Sequence, residues 1–321
     1  MYSRINNRLC GCKGVRSCLK CENDFHIQKL SLKENLKKLE PLALCVKCGH
    51  FYPGWEPEEV QQQHETLHQN QIGVNLPGVL VKENFLTVQE SGQLLNNLDK
   101  LLPWSLSQSG RRKQNFGPKT NFKRRKLRNG QFKGFPDFTA FIQERFKEVK
   151  ILDNFQTIEQ CSLEYDPSKG ASIDPHVDDC WIWGERVVTV NCLGNAVLTL
   201  TLYEEAKDLD NLSNLQKYNL GMVAGYQQSL REPLWSGKKL EMFKNKVLRI
   251  PMPNMSLIVL YGPPRYQFEH FVLREDISER RVCLAYREFT ATYLEKGEFS
   301  DDGKEILQNS LNTWCTSENK I

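Results

Sequence analysis

The densest group of metal-binding side chains in the sequence lies at residues 174–179, which include His176 and Asp178. In an extended segment, side chains two residues apart point to the same face, so His176 and Asp178 can bind one metal ion together. Among the other histidines, His270 alone lies in a predicted strand of the same half of the chain. We therefore expect His270 to be the third ligand.

Two imidazoles and one carboxylate favour a particular metal ion. When they occupy one face of an octahedron they leave three positions open, which is the arrangement that oxygen-activating iron(II) enzymes use. Zinc more often takes a closed or tetrahedral ligand set. An H-x-D pair in a loop, taken alone, is more often a capped turn, so the prediction of an iron(II) site needs a second observation.

That second observation is a predicted strand at Arg281–Phe289. Its even spacing places Arg281 and Arg287 on one face, among apolar residues. Two inward-facing arginines need an anion, and 2-oxoglutarate offers one carboxylate for one guanidinium and a metal-side carboxylate near the other. The alternative is that the arginines only pair with acidic side chains, an explanation that fits Arg287 better than Arg281. The acidic candidates are Glu288, Glu279 and Asp178.

Short apolar runs rich in β-branched residues, separated by Gly and Pro, fill the second half of the chain. They predict strands at residues 157–165, 186–193, 197–203, 247–250, 256–260, 266–273 and 281–289. Few helical segments separate them, which favours an antiparallel sandwich or barrel. Two amphipathic helices are predicted earlier, at residues 87–102 with a Thr87/Glu90 capping box and at residues 138–149. The polar residues 204–245 are interpreted as an insertion between strands.

The chain has eleven cysteines and begins without an apolar leader. No stretch is apolar enough to cross a bilayer, so we expect a soluble protein of the cytoplasm and nucleus with no membrane partner. Reduced thiols there favour metal sites over disulfides. Four cysteines have the spacing of a compact zinc knot, predicted for residues 1–28: Cys10, Cys12, Cys18 and Cys21. A disordered arm of reduced cysteines is the alternative, but few apolar neighbours are present to bury the thiols.

A second group combines Cys45 and Cys48 with His64 and His68, which fall at i and i+4 of a helix predicted to begin at Pro57. The pattern resembles a two-cysteine, two-histidine zinc finger, although the gap is slightly long. The alternative is that both histidines lie on the surface of a polar helix. Residues 29–72 are therefore predicted as a linker plus this finger.

The strongest charge run lies at residues 111–128, where basic residues alternate with Phe116 and Phe122 and no acidic residue occurs. The basic side chains are Arg111, Arg112, Lys113, Lys119, Lys123, Arg124, Arg125, Lys126 and Arg128. The net charge of +4 does not by itself indicate a polyanionic partner. The local run suits nucleic acid or an acidic protein surface. A solvated loop and a nuclear import signal at residues 123–128 are alternatives, and all three are compatible.

The order of these residues resembles the AlkB family of iron(II)- and 2-oxoglutarate-dependent dioxygenases. The matching positions are Tyr165, Gly170, His176, Asp178, His270, Arg281 and Arg287. Residues 10–18, 107–114, 174–179 and 181–186 resemble the alkB homologue 4 branch of that family. The resemblance covers residues 10–21 and about 76–289, and it is specific in the motifs but loose in the insertion.

The resemblance implies an α+β fold for residues 73–321, a double-stranded β-helix (jelly roll) with supporting helices. It also implies the cofactors iron(II), 2-oxoglutarate and O₂, with Tyr165 hydrogen-bonding the co-substrate. The implied reaction is oxidative demethylation, which releases formaldehyde, succinate and CO₂. The branch is associated with methylated lysine in proteins, actin included, and with 6-methyladenine in DNA. A substrate lid is implied for part of the basic run, at Arg111, Arg112, Lys123, Arg124 and Arg125.

Two departures from the family affect the co-substrate site. Many AlkB relatives have Asn two residues before the Tyr and two residues after the first Arg, where this chain has Leu163 and Cys283. A second hypothesis is a catalytically inactive, zinc-dependent module that binds nucleic acid or protein on the same scaffold. A third, a cupin-type isomerase or hydrolase, would leave Arg281 and Arg287 without a role.

Overall fold

The computed structural model describes residues 8–203 and 238–315. Within these ranges the strands are β1 (Glu40–Cys45), β2 (His50–Pro53), β3 (Val79–Lys82), β4 (Ser105–Leu106), β5 (Arg111–Phe116), β6 (Lys119–Asn121), β7 (Lys126–Arg128), β8 (Phe135–Pro136), β9 (Glu159–Tyr165), β10 (Ile173–His176), β11 (Trp183–Leu193), β12 (Ala196–Leu202), β13 (Lys246–Met252), β14 (Ser256–Leu260), β15 (Phe268–Val272), β16 (Arg281–Phe289) and β17 (Thr313–Trp314). The α-helices are α1 (Leu19–Asp24), α2 (Leu32–Leu36), α3 (Pro57–Gln62), α4 (Val88–Leu101), α5 (Ala140–Phe146), α6 (Lys238–Glu241), α7 (Gly262–Tyr266) and α8 (Ser300–Asn309). Most of the predicted insertion, residues 204–237, lies outside the described residues.

Two large sheets face each other across the main core. One has seven strands in the order β3-β14-β11-β16-β9-β5-β4, and the other has six in the order β10-β15-β12-β13-β1-β2. Neighbouring strands within them are antiparallel, except for the parallel pair β1 and β13. This mixed α+β arrangement is consistent with the jelly roll expected from the sequence. All seven predicted strands are present, with ends that differ by a few residues.

The seven-stranded sheet separates its side chains into an inner and an outer apolar cluster. On the inner face, Ile258 and Leu260 pack with Leu248 and Ile250 of the facing sheet. The outer face is covered by α4 and α5, through contacts that involve Val188, Val190, Leu284, Leu94, Leu98, Ile142 and Phe146. Since side chains alternate along each strand, the polar residues on the inner face project into the space between the sheets.

The helix α4 begins with the predicted capping box. Thr87 Oγ1 accepts a hydrogen bond from the Glu90 amide at 3.2 Å, and the Glu90 carboxylate accepts one from the Thr87 amide at 2.8 Å. The second predicted helix is shorter, because a 3₁₀ turn at Asp137–Thr139 precedes α5. No helix within the described ranges is long and apolar enough to cross a membrane.

The segment ahead of β3 contains two strands that were not predicted. β1 pairs with β13 at the edge of the six-stranded sheet, and β2 forms a hairpin with β1. Both lie within residues 29–72, which were predicted as a linker plus finger. Strand pairing thus connects that segment with the rest of the fold, and the proposed division at residue 73 stays a prediction.

Candidate active site

His176 and His270 are cross-strand neighbours in the six-stranded sheet. His176 ends β10 and pairs with His270 of β15, and the two ring centroids are 4.3 Å apart. Asp178 follows two residues later, and its Oδ1 lies 3.6 Å from Nε2 of His176. One ligand atom from each of the three residues lies within 4.8 Å of the others. The structure therefore brings the predicted triad together around a position where one metal ion can contact all three.

The His176 ring is oriented by its own strand. Its Nδ1 lies 2.9 Å from the backbone carbonyl oxygen of Asp174. Because a carbonyl only accepts, Nδ1 carries the proton and Nε2 keeps its lone pair for a metal ion. The Asp174 carboxylate accepts hydrogen bonds from Ser109 Oγ and Lys29 Nζ, each at 3.2 Å. The orientation of this ligand thus depends on two other segments of the chain.

Asp178 is buried and is bound from the facing sheet by Arg287. Nε and Nη2 of Arg287 donate to the two carboxylate oxygens at 2.9 and 3.1 Å, and Nη1 donates to Glu159 at 2.7 Å. Burial alone would raise the pKa of Asp178, but the charge of Arg287 holds this pKa well below its usual range. The carboxylate is therefore ionised at neutral pH, as a metal ligand requires. Asp178 was one of the acidic side chains considered as partners of the two arginines, and the structure shows that it pairs with Arg287.

His270 has the protonation state that a metal ligand needs. Burial, followed by the neighbouring His176, lowers the pKa of His270 to about 3. The ring is therefore neutral near pH 7, with one nitrogen lone pair available. Its Nδ1 is buried and has no hydrogen-bond partner within the described residues.

Arg281 lies on the inner face of the seven-stranded sheet and is 1% exposed. Its Nε donates to Oδ1 of Asn191 at 2.8 Å, its Nη2 lies 3.5 Å from Met252 Sδ, and its guanidinium lies 4.7 Å from the centroid of the Tyr165 ring. Nη1 is buried and has no partner among the described residues. Because an unpaired buried guanidinium N–H is costly, the site fits an anionic group such as the carboxylate of 2-oxoglutarate.

Two polar residues that were not singled out from the sequence support this site. Asn191, buried in β11, holds Arg281, and its own amide donates to three backbone carbonyls. Asn191 thus provides a side-chain amide next to Arg281, which Leu163 and Cys283 cannot provide at the two positions where many AlkB relatives have Asn. Arg265 is fully buried and donates to the backbone carbonyl of Asp178 at 3.0 Å. Asn191 could have been identified from the sequence, because it is a polar residue within the apolar residues of a predicted strand.

A cavity of about 520 Å³ lies on the outer side of the Glu159–Arg287 ion pair. Its basic and aromatic lining residues are Lys113, Lys119, Lys133, Phe116, Phe122, Phe132 and Trp314. Among the described residues, Glu159 is the one acidic residue that lines it. Because Arg287 contacts both Glu159 and Asp178, two consecutive ion pairs connect this cavity to the metal ligands.

The predicted lid residues lie in two different places. Lys123, Arg124 and Arg125 are exposed in the turn between β6 and β7, whose Phe122 ring lies 6.4 Å from that of Trp181. The other two lie in β5 and contact the protein: Arg112 binds Glu164, and Arg111 lies 5.9 Å from the Tyr165 ring. The β6–β7 hairpin borders the cavity, and a lid role for any of the five residues stays a prediction.

Both predicted cysteine groups also come together. The four N-terminal sulfur atoms lie within 4.8 Å of one another, as do one ligand atom each from the second group, Cys45, Cys48, His64 and His68. One detail of the second prediction is wrong: α3 starts at Pro57 but ends at Gln62, so His64 and His68 lie in the turns that follow. Their proximity comes from those turns and not from one helix face.

No family model matches the chain, but comparison with known proteins finds relatives along nearly its whole length. It is 34% identical over 307 residues to the Mus musculus protein named "Alpha-ketoglutarate-dependent dioxygenase alkB homolog 4", covering 94% of each chain. The Homo sapiens protein of that name is 34% identical over 306 residues, covering 95% of this chain and 94% of the relative. A Caenorhabditis elegans protein named "DNA N6-methyl adenine demethylase" is 29% identical over 311 residues, covering 93% of each. Because the chain is 34% identical to both alkB homolog 4 proteins over nearly its full length, it belongs to the AlkB family of 2-oxoglutarate-dependent dioxygenases.

Proposed function

We propose that the enzyme removes N-methyl groups oxidatively, using iron(II), 2-oxoglutarate and O₂. When bound, the iron ion supplies the site at which O₂ and 2-oxoglutarate oxidise a methyl C–H bond, while 2-oxoglutarate becomes succinate and CO₂. The hydroxylated methyl group then leaves as formaldehyde. The observation that carries this proposal is the convergence of His176, Asp178 and His270 in the same interior as Arg281, whose Nη1 has no partner among the described residues.

The residues of the candidate active site have separate roles in this reaction. His176, Asp178 and His270 would hold the metal ion, which would supply the site for the reaction of O₂ with the co-substrate. Arg287 keeps Asp178 ionised and oriented. Arg281 binds the distal carboxylate of 2-oxoglutarate through a charge-assisted hydrogen bond. The burial of Asp178, His270 and Arg281 limits the access of water to the reacting groups.

Succinate formation by the iron-loaded protein tests this proposal. We expect Asp178→Ala to abolish turnover, because a metal ligand is lost. Arg281→Met should raise the KM for 2-oxoglutarate by about 10- to 100-fold, since a hydrogen bond to a charged group contributes roughly 1.5–3 kcal/mol. Lys147→Met, at an exposed site directly after α5, should leave turnover unchanged. Absence of succinate with the folded wild-type protein would instead support the inactive binding module.

For the substrate, we propose methylated DNA, presented as an unpaired strand. The cavity on the outer side of the Glu159–Arg287 ion pair is lined by Lys113, Lys119 and Lys133, and the carboxylate of Glu159 in its lining is paired with Arg287. Three ammonium groups attract phosphates and repel the cation of a methylated lysine. The aromatic rings in the lining offer flat surfaces on which bases can stack. The name of the Caenorhabditis elegans relative refers to a substrate of the same kind.

Binding and formaldehyde release, measured side by side, distinguish the two substrates. We expect a single strand that contains 6-methyladenine to bind in a fluorescence anisotropy titration, and Lys119→Ala with Lys133→Ala to weaken it by about tenfold at low salt. Lys147→Ala is the matched control. Formaldehyde from a methyl-lysine peptide but not from the DNA strand would overturn the choice of substrate and leave the demethylase proposal intact.

We also propose that Cys10, Cys12, Cys18 and Cys21 bind one structural zinc ion. Four sulfur atoms within 4.8 Å of one another, three of them on buried residues, support a closed tetrahedral site. Native mass spectrometry should show that Cys18→Ser with Cys21→Ser loses one zinc ion per chain. An unchanged zinc content would contradict the proposal.

A further inference from the structure

The six-stranded sheet has the candidate iron site at its β10 edge and the second cysteine–histidine group at its opposite edge, beside β1 and β2. We propose that Cys45, Cys48, His64 and His68 bind one zinc ion, which fastens residues 57–70 to the β1–β2 hairpin. Two sulfur and two imidazole ligands form the closed tetrahedral set that zinc favours. Such a set leaves no position for a substrate, so the site is structural and separate from the demethylase chemistry.

The two cysteines come from a tight turn between paired strands. Cys45 is the last residue of β1 and is fully buried. The Gly49 amide donates to the Cys45 carbonyl at 2.9 Å, and Gly49 has a φ of +73°, in the left-handed region that favours glycine. Cys48 Sγ lies 3.6 Å from the Tyr52 hydroxyl. The turn therefore holds both sulfur atoms on the side of the hairpin that faces the two histidines.

The two histidines are delivered by the turns after α3. Val60 of α3 packs against Ala43, Cys45 and Tyr52 of the hairpin, which fixes the direction of the segment that follows. His64 Nδ1 lies 3.5 Å from Cys45 Sγ. The His68 ring stacks on the Tyr52 ring, with centroids 3.6 Å apart and planes within 2° of parallel.

The environment of His68 supports a metal over a packed histidine. The residue is 7% exposed, and both of its ring nitrogens are buried without a hydrogen-bond partner among the described residues. A neutral imidazole has one donor and one acceptor, so burying both unpaired is unfavourable. A metal ion takes the lone pair of one nitrogen and removes part of that cost. A surface histidine on a polar helix does not fit, because His68 is buried and lies beyond α3.

A metal ion also explains how this segment is held. The chain leaves β2 at Pro53 and returns to it where Val74 and Phe51 exchange backbone hydrogen bonds at 2.8 and 2.9 Å. Between these points, residues 57–70 contain few apolar side chains: Pro57 and Val60 are buried, and Leu67 is 43% exposed. Packing alone holds such a segment weakly, and metal binding would supply the missing free energy of folding.

Thiol alkylation of the intact protein tests the site without any substitution. We expect Cys45 and Cys48 to resist alkylation in the zinc-loaded full chain and to become labelled after treatment with a chelator, as located by peptide mass spectrometry. The exposed Cys315 should be labelled in both states, and the buried Cys192 in neither. Equal labelling of Cys45 and Cys48 with and without chelator would overturn the proposal.

A matched pair of variants provides the second test. We expect His68→Asn to lose one zinc ion per chain relative to wild type in native mass spectrometry. His26→Asn should keep the wild-type content, because His26 is exposed and has a φ of +50°, which asparagine tolerates. The four-cysteine site is unchanged in both variants, so its ion cannot account for the difference. An equal zinc count in wild type and His68→Asn would refute the assignment whether or not the enzyme is active.

Discussion

The two arginines of β16 have different hydrogen-bond partners, and these partners indicate different roles. Arg287 directs Nε and Nη2 to Asp178 and Nη1 to Glu159, so its hydrogen bonds are made with carboxylates of the protein. Arg281 has a neutral partner in Asn191 and keeps a buried Nη1 without a partner among the described residues. Arg281 is therefore the residue suited to a carboxylate from outside, and Arg287 sets the charge and orientation of a metal ligand.

The lowered pKa of His270 gives the metal-free protein a pH-dependent stability. An unfolded histidine titrates near 6.5, whereas burial and then His176 lower the pKa of His270 to about 3 in the folded state. Between these values the unfolded state binds more protons, so the free energy of unfolding falls as the pH falls, by about 2 kcal/mol near pH 5. We expect His270→Asn to flatten this dependence in urea unfolding of metal-free protein. His26→Asn, at an exposed site, should keep the wild-type slope, and the same slope in His270→Asn would contradict the assignment.

At the scale of single elements, periodicity identified seven of the strands and α4, while tertiary contacts determined what was missed. The Thr87/Glu90 pair predicted the start of α4 because a capping box is local in sequence. β1 escaped prediction because its Pro-Leu-Ala-Leu sequence has no β-branched residue, and its partner β13 lies far along the chain. His270 was expected near His176 because both are potential metal ligands. The register that pairs β10 with β15 was not predicted, because these strands are also far apart along the chain. Register between distant strands depends on packing that no local pattern records.

The β10 strand connects the N-terminal segment to the iron ligands through Asp174. Its carboxylate is bound by Lys29 and Ser109, and its carbonyl orients His176. Groups that orient a metal ligand commonly change metal affinity by 10- to 100-fold when removed, and we expect about tenfold weaker Mn(II) binding in Asp174→Ala. Isothermal titration calorimetry measures this directly. Asp24→Ala, which breaks an exposed pair with Lys20, should keep wild-type affinity, and equal effects of both variants would show that the loss is not specific to β10.

At the scale of the whole molecule, the candidate active site lies between the two sheets. His176 and His270 belong to the six-stranded sheet, whereas Tyr165, Arg281 and Arg287 belong to the seven-stranded sheet. Within the described residues, the Asp178–Arg287 ion pair crosses this interior. A bound metal ion and its co-substrate would therefore connect the sheets at the point where the apolar core gives way to polar groups.

Ligand binding should consequently stabilise the fold in two separable steps. A ligand at 100 times its Kd stabilises the folded state by about 2.7 kcal/mol, which corresponds to a rise in Tm of roughly 4–5 °C for a domain of this size. We expect Mn(II), which suits the same ligands, to raise Tm, and 2-oxoglutarate to raise it further only when the metal is present. Arg281→Met should keep the metal increment and lose most of the second, because the metal ligands remain while the guanidinium is gone. Asp178→Ala should lose both increments. If 2-oxoglutarate shifts the Tm of Arg281→Met as much as that of wild type at the same concentration, then its distal carboxylate binds elsewhere, and the role given to the unpaired Nη1 is wrong.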